Sequence, residues 1–301
     1  MELNTILLQQ STWSGITIGF IYGLVALGFT LIYNVSRILN IAQGEFVMIG
    51  ALSIYSFVSV LNIPIWLAIP LALIVSAIIG VIMVKFALEP ISKSNILALI
   101  IATVAFGEII KGGAVLIWGS DNYAIPSFIE GAYISIFDAN VNIQTFIIIF
   151  VSLAIYFGFR WMNKNTNFGI SLTAVAGDPY AAQLMGINVK RVIILVVAIG
   201  AAMGAIGGIL IGPLTSMSYF QGTMLGIKAF IAALIGGLGS YGGALIGGLV
   251  LGLFEAYTAG FISSLLKDAF SLILLLVILN FLPNGLVDFK RLFKRSLVRR
   301  D

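Results

Sequence analysis

No cysteine and no histidine occur among the 301 residues. Without cysteine there can be no disulfide, iron–sulfur cluster, thiolate zinc site or thiol nucleophile. Without histidine the chain lacks the commonest general base, the commonest transition-metal ligand and the usual pH switch. Charge is scarce as well: 9% of residues are charged, against about 25% in soluble domains. That excludes an ordinary water-soluble enzyme, whose surface would need more charge to stay dispersed. Proline is limited to 7 residues, so the 33 glycines belong to neither a collagen-like repeat nor a low-complexity tract. What remains is apolar, with 60% hydrophobic residues and a mean hydropathy of +1.11. The fold class expected is all-α, a polytopic transmembrane helical bundle with no catalytic residues and no metal site.

A helix crossing the hydrocarbon layer needs about 20 apolar residues. Nine runs qualify or nearly so: 13–33, 46–61, 65–84, 96–118, 143–159, 192–213, 224–235, 244–262 and 270–282. Two of them, 46–61 and 224–235, are short enough to be re-entrant or broken helices. Eight or nine spans are therefore expected, and nine agrees with the charges. If the tail after Leu282 is cytoplasmic, nine crossings put 13 of the 16 Lys and Arg on that side, as the positive-inside rule requires. The 24 residues from Gly119 to Asn142 hold Asp121, Glu130 and Asp138 and no Lys or Arg, which suits the outside. The N-terminus would also lie outside. No cleavable leader is evident, because Lys and Arg are missing before Trp13. Residues 1–283 then form a transmembrane domain with a cytoplasmic segment at about 165–191, and residues 284–301 form a basic cytoplasmic tail. The protein is expected in a plasma (inner) membrane, in contact with the lipid bilayer.

Small residues recur where helices should meet. Gly200, Gly204, Gly208 and Gly212 stand four apart with Ala201 and Ala205 beside them, and Gly243/Gly247 and Gly248/Gly252 repeat the device. Such faces let backbones approach closely in a bilayer. The run from Gly236 to Gly243 predicts a sharp turn at the membrane face. It does not carry the Walker pattern of a phosphate-binding loop, and nothing in the chain points to nucleic acid.

Ionisable groups inside spans are functional candidates by default. Glu108 and Lys111 are three apart and share a helix face. Lys228 and Glu255 fall at matching depth on sequential helices, which predicts an intramembrane pair. Neutralisation explains both pairs better than a proton relay. Asn40, Gln43, Gly44 and Glu45 form the densest polar cluster adjoining a span. Two readings stay open for Glu45: a carboxylate favoured by the amide dipoles of a first helical turn, or a part of the translocation path.

The segment Asp178-Pro179-Tyr180-Ala181-Ala182-Gln183-Leu184-Met185-Gly186 reads as a short capped helix. Asp178 is a strong N-cap, Pro179 suits the first position and Gly186 suits the left-handed residue after the end. About seven residues cannot hold a helix alone in water, and Ala182, Leu184, Met185 and Ile187 are apolar in a loop that should be polar. The helix either docks into another protein or packs on its own bundle.

Residues 174–188, Ala-Val-Ala-Gly-Asp-Pro-Tyr-Ala-Ala-Gln-Leu-Met-Gly-Ile-Asn, resemble the coupling segment of ABC importer permeases of the branched-chain amino acid type. Residues 40–51, Asn-Ile-Ala-Gln-Gly-Glu-Phe-Val-Met-Ile-Gly-Ala, resemble that family's Asn-Phe-Ala-His-Gly-Glu stretch. Gly226-Ile227-Lys228-Ala229-Phe230, running on to Gly236-Gly237-Leu238-Gly239-Ser240, gives a third match. The chain departs from the pattern at Gln43, where His is commoner, and at Thr173, where an Arg often stands. The resemblance implies the first of two homologous permeases in an ATP-driven importer. An external binding protein would deliver leucine, isoleucine or valine. Two ATPase subunits would hold the ATP and Mg, with no cofactor on this chain. A second permease would complete a heterodimer or homodimer. It further implies that Asp178, Pro179, Ala181, Ala182, Leu184, Met185 and Gly186 couple to the ATPases, and that Asn40, Gln43, Gly44 and Glu45 lie near the path. A permease of the same class for urea or short amides is an alternative; so, from another class, is a self-sufficient secondary transporter or channel.

Overall fold

The computed structural model describes residues 2–91, 95–129, 133–136 and 139–286, with backbone alone for 2–4. Lys93, Glu130, Asp138 and the basic tail from residue 287 onward lie outside the described residues. All nine apolar runs are helical. α1 covers Glu2–Ser36, α2 Gln43–Tyr55, α3 Ile65–Met83, α4 Ile96–Trp118 and α5 Ile143–Asn165. α2 and α3 each end in one wider π-helical turn, Ser56–Val60 and Val84–Leu88. Two short helices follow, α6 (Asn167–Gly177) and α7 (Pro179–Leu184), then α8 (Val189–Ile211), α9 (Gln221–Gly236), α10 (Tyr241–Phe261) and α11 (Lys267–Phe281).

Seven of these are long and apolar enough to cross a membrane. α9 has 16 residues and α11 has 15, about 24 and 22 Å at 1.5 Å per residue, short of a layer about 30 Å thick. The run 46–61 begins earlier than its apolarity suggests, at Gln43, because the polar residues there are buried against neighbouring helices rather than left in a loop.

Local chemistry starts and stops these elements. Side-chain oxygens of Asn95, Asn142, Thr166, Asp178, Asn188 and Ser240 accept amide hydrogens at the first turns of α4, α5, α6, α7, α8 and α10. Each thereby satisfies a donor that has no partner within its helix. Gly237 and Gly239 take positive φ, 94° and 97°, and turn the chain from α9 into α10 within four residues. The stretch 119–142 departs from the all-helical expectation: β1 (Tyr133–Ile136) and β2 (Ala139–Asn142) pair antiparallel, and Tyr123 bridges to Met217.

α1, α2, α8, α9 and α10 form the inner bundle, and glycine decides their spacing. On α1, Gly15, Gly19 and Gly23 face Gly248 and Gly252 of α10 so closely that a Cβ at Gly15 or Gly19 would sit 2.8 Å from the opposite backbone. On α8 the predicted stripe is used: a Cβ at Gly208 would overlap the Val47 carbonyl, and one at Gly204 would meet Phe46 Cβ at 3.0 Å. This is close backbone packing through small residues.

Candidate functional site: an intramembrane junction and a presented helix

The chain leaves α1 through Arg37, whose φ of 57° is uncommon for a residue with a side chain. It then turns back into the bundle before α2 begins. Gln43 Nε2 donates to the Gly200 carbonyl at 2.7 Å, and a Cβ on Gly28 would collide with the same amide. Gly28 lies eight residues before the end of α1, about 12 Å along its axis. Gly200 lies eleven residues into α8, about 16 Å by the same rise. α2 therefore starts well inside the bundle.

α9 meets it there. A Cβ on Gly226 would stand 2.6 Å from Gly44 Cα, and Thr223 Oγ1 donates to Glu45 Oε1 at 2.7 Å. Glycine at 44, 222 and 226 lets the first turns of α2 and α9 touch backbone to backbone. On the far side Thr103 of α4 accepts from the Ile41 amide at 3.2 Å, and Gly107 lies against Ala42 and Glu45.

Asn40, Gln43 and Glu45 are all buried, but they do not converge on one point. Gln43 faces α1 and α8, while Glu45 faces α9. Asn40 Oδ1 and Nδ2, Gln43 Oε1 and Glu45 Oε2 are enclosed with no protein partner. Glu45 stands apart from the other intramembrane acids: among the described residues it makes no ion pair. Its hydrogen-bond partner is a hydroxyl on a helix 178 residues away, which sequence spacing cannot reveal.

The other intramembrane charges singled out in the sequence pair. Lys228 Nζ lies 3.1 Å from Glu255 Oε2 and 2.7 Å from Asp268 Oδ1. Glu255 also accepts from Tyr22 at 2.9 Å and from Ser271 at 2.8 Å. The cluster ties α9, α10, α11 and α1 together; Tyr22, Ser271 and Asp268 were not foreseen. Glu108 and Lys111 pair along one face of α4. Among the described residues no three acidic side chains gather to hold a metal ion.

At the end of the bundle where α1 finishes and α8 begins, Asp178 Oδ1 accepts from the Tyr180 amide at 2.8 Å and the Ala181 amide at 3.1 Å. Gly186, at φ 85°, follows the last turn of α7. Ala182 is buried against the chain itself, whereas Tyr180, Leu184 and Met185 are 72%, 72% and 83% exposed. Of the apolar residues predicted to dock, Leu184 and Met185 are thus free to do so and Ala182 is not. α6 precedes α7 and was not separately foreseen; Thr166, its cap, is the signal that marks it. Arg37 donates to the Ala176 carbonyl at 3.3 Å, and Lys190 pairs with Glu89 at 2.8 Å, so both flanks of α7 are tied to the bundle.

A bundle of this composition, with seven helices long and apolar enough to cross a bilayer, is that of a multi-pass membrane protein. Residues 11–279 match the family described as branched-chain amino acid transport system, permease component, and the chain belongs to it. It is 32% identical over 92% of its length to the high-affinity branched-chain amino acid transport system permease protein LivH of Salmonella typhimurium, covering 94% of that protein. BraD of Pseudomonas aeruginosa, with the same description, is 30% identical over 92% of this chain and 95% of its own. A probable branched-chain amino acid transport permease of Methanocaldococcus jannaschii is 29% identical over 91% of each.

Proposed function

We propose that the chain is one permease subunit of an ATP-driven importer and translocates branched-chain amino acids delivered by an external binding protein. The observation that carries the coupling half of this reading is α7. It is a six-residue helix, too short to persist alone, yet capped, tethered on both sides and presenting apolar Tyr180, Leu184 and Met185 to the outside. Such a surface is made to be covered, and two ATPase subunits would cover it and its counterpart on a second permease. ATP and Mg would reside on those ATPases, and the bundle end bearing α7 would face the cytoplasm of a plasma (inner) membrane. The substrate class is supported by the relatives, which match along nearly their full length and are named for that transport.

Closure of the ATPases would push α7, and the Arg37–Ala176 contact would pass the displacement into the α1–α2 link and the Glu45–Thr223 junction. Alternating access then follows from rocking elements around that junction. Helices that begin inside the bundle, as α2 does, also occur in self-sufficient secondary transporters, but that reading gives α7 no use. The substrate test is uptake of labelled leucine by cells expressing the whole system. Excess isoleucine or valine should suppress it and urea or acetamide should not; the reverse pattern would move the substrate to the amide class.

A further inference from the structure

At the end of the bundle opposite α7, where α1 begins and α8 ends, the chain surrounds a cavity of about 490 Å³. Small-molecule sites have this size. Its floor is already satisfied: Thr17 and Thr145 are buried, and their hydroxyls meet at 2.9 Å. One wall is apolar and includes Ile18, Ile21, Ile211 and Leu225. Elsewhere the lining carries charge of one sign, Lys228 and Lys267, and among the described lining residues there is no Asp or Glu.

The two lysines differ. Lys228 is committed to Glu255 and Asp268. Lys267 is half-buried, and among the described residues it makes no ion pair. It stands at the first position of α11, where the helix dipole disfavours a cation and favours an anion beside it. α9 also meets the cavity with its first turn, at Gln221, and neither helix has a side-chain cap on its first amides. Asn140 and Asn142 add donors. Their amide oxygens already accept from the Ser135 hydroxyl and the Gln144 amide, so what they offer a ligand is N–H. An ammonium group finds no comparable partner: the Glu255 oxygens already accept from Tyr22, Lys228 and Ser271, and Lys228 holds Asp268.

We propose that this cavity binds a small monocarboxylate with an apolar chain and no ammonium group, its carboxylate on Lys267 and its chain along Ile18, Ile21, Ile211 and Leu225. The charged donor strengthens the hydrogen bonds to the carboxylate, and the apolar wall takes the chain out of water. Such an acid reaches the site either from the water phase or from lipid, and the recognition chemistry is the same for both. None of Asn40, Gln43 and Glu45 lines the cavity. The site is thus separate from the α2–α9 junction, and it does not depend on the importer reading.

The test uses the tagged full chain, purified with whatever accompanies it and placed in phosphatidylcholine nanodiscs. Radiolabelled 4-methylpentanoate is the probe, in equilibrium dialysis, and saturable binding is expected. Leucine is the same acid with an ammonium added, and 4-methylpentan-1-ol is its uncharged counterpart. Each should compete at least about tenfold more weakly than unlabelled 4-methylpentanoate. Lys267→Gln should lower the affinity by about the same factor, whereas Lys267→Arg should keep most of it. Decanoate competing more strongly than the short acid would trace the ligand to lipid, and weaker competition would trace it to the water phase; either result upholds the site. No saturable binding, equal competition by leucine or by the alcohol, or unchanged affinity in Lys267→Gln would overturn the proposal. The selectivity is read on the unaltered chain, so it decides the matter even if Lys267→Gln does not fold. A preparation lacking an ATPase would count against the importer reading and leave this result standing.

Discussion

At the residue scale the Lys228 cluster carries the sharpest consequence. Lys228 and Glu255 are both largely enclosed, with 15% and 4% of their side chains exposed, so removing one partner strands the other. Lys228→Met should destabilise the detergent-solubilised protein by roughly 3–5 kcal/mol, read as a lowered thermal midpoint. The double variant Lys228→Met/Glu255→Gln should lose clearly less than the sum of the single losses. Strict additivity would show that the pair is not coupled. The pairing was legible in the sequence, because two charges at matching depth on sequential apolar runs have few alternatives. The role of Tyr22 was not, since a tyrosine 233 residues from its acceptor looks like any other aromatic in a span. Glu45 shows the opposite limit. Its position at a first helical turn is readable from residues 40–46, but its Thr223 partner depends on how α9 packs, and only the fold supplies that.

At the scale of elements, two contacts govern the account. α2 and α9 touch through Gly44 and Gly226 with no room for a side chain. Gly226→Val should therefore separate the two helix starts and break the Thr223–Glu45 hydrogen bond, an overpacking cost of about 1–3 kcal/mol. Uptake should fall with it while membrane insertion persists; unchanged uptake would remove the junction from the transport path. α7 makes a second prediction. Leu184→Glu or Met185→Glu places a charge on an apolar docking surface and should weaken ATPase binding by roughly 2 kcal/mol, about thirtyfold, read as lost co-purification with normal membrane levels. Ala182→Asp is the poorer probe, because Ala182 is buried within the chain and its variant would disturb α7 itself. The glycine stripe on α8 was visible as a strict four-residue spacing. Its counterpart on α1, Gly15-Gly19-Gly23, has the same spacing and marks the α1–α10 contact, yet composition alone does not single it out among 33 glycines. The hairpin of β1 and β2 had no comparable signal, since each strand is only four residues long.

In the whole molecule, one chain of the branched-chain amino acid permease family carries both an intramembrane junction and a presented helix. Arg37 and the Lys190–Glu89 pair anchor both flanks of α7 to the bundle, so force applied at α7 has a short route to α2. The class of fold was evident from hydropathy and charge bias, because a bilayer restricts the options so severely. The count of full crossings was less so: α9 and α11, of 16 and 15 residues, are shorter than the apolar layer. The most direct measurement is purification of the tagged chain in mild detergent from its host, with mass spectrometry of what accompanies it. The account predicts an ATPase bearing a phosphate-binding loop in stoichiometric amount, together with a second permease. Recovery of the chain alone, repeated after crosslinking in the membrane, would contradict it and point to a transporter that works without ATP.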